Sequence, residues 1–177
     1  SSDLSQTDGD PAIQGGFDVA HKSGAYVGTW ASNVSSWAAG PGSSTKLEVD
    51  LYGGFKTEVA GVGLDVGAIA YMYPGSSSGG VDSNNVPNGT NWRANTQEAY
   101  VGLSYGPLTF KTSYVLSKNY FASTEGGDAS GTMYYVLTLS QEIAPKLVAS
   151  IHAGYTDYKK DGETAVYGKF SYADYNI

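Results

Sequence analysis

The chain contains no cysteine, which removes disulfides, thiolate catalysis and cysteine-based zinc sites together. Basic residues are scarce as well: Lys and Arg number 10 against 17 Asp and Glu, for a net charge of -7 and a pI near 4.6. Binding to nucleic-acid phosphates requires a concentrated basic surface, so no nucleic-acid partner is expected. No apolar run approaches the ~18–20 residues of a membrane-spanning helix, and any insertion into a bilayer must therefore use strands. Ser1–Asp10 offers neither a basic n-region nor an apolar h-region, so no signal peptide is visible. Charged residues as a whole make up only 15% of the chain.

What the chain does have is glycine and tyrosine. Glycine accounts for 24 of 177 residues and tyrosine for 15, the former about double the usual ~7%. A length of 177 residues suits one domain with a sizeable core. Apolar and polar residues alternate with period two in segments at 12–20, 24–34, 46–55, 62–73, 97–105, 108–117, 132–141, 147–157 and 164–175. In the third, Leu47, Val49, Leu51 and Phe55 alternate with Lys46, Glu48, Asp50 and Tyr52. In the fourth, Val62, Leu64, Val66, Ala68, Ala70 and Met72 oppose Asp65, Gly67, Tyr71 and Tyr73. This period fits half-buried strands rather than helices.

The connections alternate too. Those around His21–Ser23, Lys56–Gly61, Gly106–Pro107 and Glu142–Lys146 are short, whereas Ser35–Thr45, Pro74–Thr96, Lys118–Gly131 and Tyr158–Glu163 are longer and polar. Outer-membrane barrels pair short periplasmic turns with longer extracellular loops. The mean hydropathy of -0.26 agrees, because only alternate residues of a barrel wall face lipid. The predicted fold is therefore all-β: one antiparallel up-and-down transmembrane β-barrel over residues 1–177, with the lipid bilayer of an outer membrane as its partner.

Strand parity adds an expectation about the ends. With the short turns periplasmic, the segment ending near Ala20 runs inward and Ser1–Pro11 starts outside, although bacterial single-chain barrels have an even strand number. At least one further strand is expected upstream. The last residues, Ala173–Ile177, lack a terminal aromatic, so the chain is expected to be cut at both ends, with ten to twelve strands when complete. Otherwise a neighbouring copy, in a homo-oligomer, must supply the closure.

The run from Ser5 through Asp18, SQTDGDPAIQGGFD, is followed by His21-Lys22-Ser23-Gly24 and by Gly28-Thr29-Trp30-Ala31-Ser32-Asn33-Val34. Together with Glu48-Val49-Asp50-Leu51-Tyr52-Gly53-Gly54, Tyr71-Met72-Tyr73-Pro74-Gly75 and Glu98-Ala99-Tyr100-Val101-Gly102, it resembles the TorF family of porins, also called Gcw-chp. The resemblance covers most of the chain. It implies a Gram-negative outer-membrane barrel, exported with a cleaved signal peptide, whose substrate is generally unassigned. It also implies a strand before Ser5 and more strands after Ile177, and it supplies no catalytic residue.

Several residues invite a chemical reading. Asp18, Glu48, Asp50, Asp65 and Glu98 fall on the polar faces of their segments, with Lys46, Lys111, His152 and Lys169 among the residues opposing them there. Charge rings of this kind set ion preference in a pore; the alternative is an interior salt-bridge network that braces a narrow barrel. Tyr71, Tyr73, Tyr105, Tyr120, Phe121, Tyr155 and Tyr172 cluster toward segment ends, where rings at the membrane–water boundary would sit, although tyrosine is also a good strand residue. Asp8-Gly9-Asp10 looks like half of a calcium loop but lacks the full ligand spacing, so no metal and no cofactor is expected. His21 and His152 have no partner at a recognisable motif spacing, and no enzyme activity is expected. Gly75–Asn95, rich in Gly, Ser and Asn, reads as a long loop.

Three functions follow from these expectations: a passive outer-membrane channel for small solutes or ions, a structural or self-assembling barrel without transport, and a secreted β-sandwich that binds carbohydrate through Tyr and Trp. Only the first two account for the alternation of short and long connections.

Overall fold

The computed structural model describes residues 7, 10–35, 45–75, 78–81, 87–92, 95–118, 120, 128–158 and 173–176. Among these residues there is no helix. The strands are β1 (Gln14–Ala20), β2 (Ala25–Asn33), β3 (Leu47–Val59), β4 (Val62–Met72), β5 (Ser78–Val81), β6 (Pro87–Trp92), β7 (Thr96–Tyr105), β8 (Leu108–Val115), β9 (Met133–Ala144), β10 (Leu147–Asp157) and β11 (Ala173–Asn176). They build one antiparallel sheet in the order β1-β2-β3-β4-β7-β8-β9-β10-β11, eight long strands and a four-residue ninth. The separate hairpin β5-β6 stands between β4 and β7 in sequence. The sheet is open: β1 pairs with β2 and β11 with β10, and no described pairing joins the two edges.

The alternation of connections holds throughout. Tight turns join β1 to β2, β3 to β4, β7 to β8 and β9 to β10, and the long connections fall between the remaining neighbours. In an up-and-down antiparallel sheet this places all long connections at one end. Each tight turn is set by a residue with positive φ: Gly24 (99°), Ala60 (54°) with Gly61 (80°), Gly106 (55°) and Lys146 (66°). Ala60-Gly61 links the pair Val59 and Val62 as a two-residue loop with both φ positive, the arrangement whose twist matches that of the flanking strands. Pro145-Lys146 instead carries its positive φ at the second position, a geometry that splays a hairpin, and the register slips at Leu147/Val148 next to it.

Several boundaries differ from the sequence expectation. Strand β3 continues through Lys56–Val59 to Val59 rather than ending at Phe55, because those residues pair with Val62–Asp65 and leave only Ala60-Gly61 for the turn. Strand β9 reaches Ala144, three residues past the expected end, and β8 stops at Val115, two residues early. Gly75–Asn95 is not a plain loop: Ser78 pairs with Trp92 and Val81 with Pro87. Of the final segment at 164–175, only Ala173 onward is described, and it pairs with β10.

The sheet is inverted relative to a water-soluble one. On one face Val27, Leu51, Leu103, Phe110, Leu137 and Ile151 are each at least 40% exposed. On the other, Glu48, Asp50 and Glu98 are each no more than 8% exposed. No described strand packs on either face, since every strand of the sheet contacts only its own sheet neighbours. A small buried cluster of Val115, Tyr120 and Ala129, with Tyr158 packed against it, lies at the long-connection end of β8 and β10.

Candidate functional site

The polar face is ordered by register. Tyr26, Gly54, Gly67 and Tyr100 follow one another across β2, β3, β4 and β7. The two glycines leave room for the two rings: a Cβ on Gly54 would lie 2.6 Å from the Tyr26 hydroxyl, and one on Gly67 would lie 2.5 Å from that of Tyr100. The rings therefore reach toward each other across the middle strands, and their hydroxyls are hydrogen-bonded to one another. Tyr26 also donates to Asp65 Oδ1 at 2.6 Å. Lysines flank this centre, Lys111 Nζ lying 4.0 Å from the Tyr100 ring centroid and Lys56 Nζ 4.8 Å from that of Tyr26, within the range of cation–π attraction. Lys56 also stands 3.8 Å from Asp65. The same device recurs nearer the edge, where Tyr52 leans across Gly28 and donates to Asp18 at 2.7 Å.

Toward the long connections the face turns acidic. Glu48 and Asp50 lie on β3 and Glu98 on β7, with Tyr71 at the end of the intervening β4 and Tyr73 directly after it. Tyr73 donates to Glu48 Oε2. Asp50 sits between Trp30 and Tyr71 in one cross-strand row. Its backbone carbonyl accepts from Thr29 Oγ1 at 2.9 Å, but its side-chain Oδ1 is buried without a hydrogen-bond partner. Glu98 is faced by the Ser113 hydroxyl and the Lys111 ammonium.

The residues expected to line a pore are placed as follows. Asp18, Glu48, Asp50, Asp65, Glu98, Lys111 and His152 share the polar face by strand parity and register. Lys46 precedes β3 and is exposed, its carbonyl accepting from Val34 N at 3.0 Å. Lys169 lies outside the described residues. The aromatic residues divide. Tyr105, 68% exposed, and Tyr155, stacked on Tyr135 at 6.4 Å, stand on the apolar face. Tyr71 and Tyr73 do not: both lie on the polar face, and Tyr73 is buried there because its hydroxyl has a carboxylate to bind. Tyr120 is buried and meets Tyr158 edge to face at 5.7 Å. Phe121 and Tyr172 lie outside the described residues, as does Asp8. Asp10 caps a turn through its backbone with Thr7, and no group of metal-ligating side chains occurs among the described residues. His21 sits in its tight turn with Nδ1 2.9 Å from Ser23 Oγ.

A comparison with family models matches residues 3–177 to a bacterial protein family of unknown function, Gcw_chp. The chain belongs to the Gcw_chp family. No curated protein and no solved structure matches it. Membership in Gcw_chp assigns no reaction or solute, so the chemistry has to be read from the side chains. Four residues carry that reading without being singled out by sequence: Trp30, Tyr52, Tyr26 and Tyr100. Their parity is visible in the alternation, but their partners lie one to three strands away and depend on the register.

Proposed function

We propose that this Gcw_chp chain forms the wall of a Gram-negative outer-membrane β-barrel, a porin of the TorF type through which small solutes diffuse along the polar face. One observation carries the reading: a face of Leu, Val, Ile and Phe is exposed while Glu48, Asp50 and Glu98 on the opposite face are sheltered. In water that arrangement sacrifices hydrophobic burial and desolvates charge. In a bilayer the exposed face meets hydrocarbon and the polar face meets a lumen. A contiguous apolar surface of this extent marks a membrane or partner contact. The test is planar-bilayer conductance of the full-length protein refolded with detergent. Stepwise single-channel currents are expected, and a folded, inserted protein that never conducts would overturn the transport reading.

A second reading is favoured by the Asp65–Tyr26–Tyr100 bridge. Side chains crossing the polar face brace a narrow barrel: about eight strands leave an interior filled by side chains, and the nine strands of this sheet are close to that number. The protein would then be a structural or self-assembling envelope component, joined to further copies through the strand edges of β1 and β11. Insertion without conductance, together with cross-linked multimers in membranes, is its expected signature.

A further inference from the structure

We infer that the acidic end of the polar face binds a primary alkylammonium group, with Asp50 as its anchor; the inference rests on the reading of that face as open to solutes. Three carboxylates share this end of the face, Glu48 and Asp50 on β3 and Glu98 on β7 across the intervening β4, each no more than 8% exposed. Two of them are already served: Glu48 by the Tyr73 hydroxyl, Glu98 by Ser113 and Lys111. Asp50 differs, because its Oδ1 is buried and accepts nothing. A sheltered carboxylate oxygen without a donor is costly, and a bound donor carrying positive charge relieves the cost most fully. The nearby lysines are committed elsewhere, Lys111 over the Tyr100 ring and Lys56 beside Asp65, while Lys46 is exposed beyond the strand end.

The surroundings select the kind of cation. A hard divalent ion takes six or more oxygen ligands, and the described carboxylates and imidazoles form no group able to hold a metal. Aromatic residues instead flank Asp50 in its own row, Trp30 on β2 and Tyr71 on β4. Indole and phenol rings attract ammonium and pack against an alkyl chain. A primary ammonium adds the N–H donor that the Asp50 oxygen lacks, which a quaternary one cannot.

The experiment is a fluorescence titration of refolded full-length protein in detergent. It uses a Trp37→Phe/Trp92→Phe background, so that Trp30 is the remaining indole of three. n-Butylammonium chloride is expected to give a saturable change, at least tenfold weaker after Asp50→Asn and unchanged after Glu58→Gln, which lies exposed at the tight-turn end of β3. Sodium chloride at equal ionic strength and n-butanol are expected to give none. A response shared by sodium or butanol overturns the inference without recourse to any variant, and so does an Asp50→Asn protein of unaltered affinity. Binding requires no conductance. Saturable binding by a protein that never conducts would refute the porin reading alone; conduction without saturable binding would refute this inference alone.

Discussion

Val101 stands halfway along β7 on the apolar face, 41% exposed and registered against Val66 and Thr112. Replacing it with Arg separates a membrane wall from a soluble sheet. At the bilayer midplane an outward Arg costs about 2–4 kcal/mol, falling to about 0–1 near the interface. Tyr105 is four residues further along the same strand and face, at the tight turn. At ~3.4 Å per residue and a tilt of ~45° that is about 10 Å of depth, close to half of a ~25 Å apolar band. Val101→Arg should therefore shift the folding equilibrium in lipid vesicles by about 30- to 1000-fold, and Tyr105→Arg by less than about tenfold. Urea titration of vesicle-bound protein, followed by tryptophan emission, measures both. At an exposed site of a soluble sheet either substitution would stay within about 0.5 kcal/mol; two small and equal effects would refute the depth argument.

Three further outcomes are expected. Lys146 holds φ at 66° at the second position of its turn, so Lys146→Gly should stabilise the protein by about 1 kcal/mol, read as a higher urea midpoint with an unchanged slope. Gly67→Ala would place a Cβ 2.6 Å from the Gly53 carbonyl and against the Tyr100 hydroxyl, and should destabilise by about 1–3 kcal/mol in the same titration. Tyr73→Phe leaves the buried Glu48 carboxylate without its donor and should cost about 1–3 kcal/mol, with far-ultraviolet circular dichroism checking that the sheet survives.

The two faces of the sheet are legible in the sequence because alternation is strict where it matters. Glu48 and Asp50 against Leu47 and Leu51 already fix which way β3 presents its charges, and strand order follows from consecutive short connections. Chemistry that depends on register is not legible. The Tyr26 and Tyr100 hydroxyls meet across 74 residues of sequence, and only the alignment of four strands puts Gly54 and Gly67 between them. Tyr71 and Tyr73 show two sequence signals in conflict: position at a strand end suggests a membrane-boundary ring, parity suggests the polar face. Parity prevails, since Glu48 offers Tyr73 a charged acceptor. The β5-β6 hairpin escapes notice because Gly, Ser and Asn are poor strand formers.

On the proposed reading the apolar face meets lipid and the polar face does not. The absence of cysteine allows single-cysteine labelling with no background to remove. Nitroxides placed in turn at residues 97–105 of β7, in protein refolded into lipid vesicles, report collision with membrane-soluble oxygen and with a water-soluble nickel chelate. Strict alternation is expected: oxygen access highest at Ala99, Val101 and Leu103, and low at Glu98, Tyr100 and Gly102. Free access of the nickel chelate to Val101 and Leu103, or the loss of period two, would contradict it.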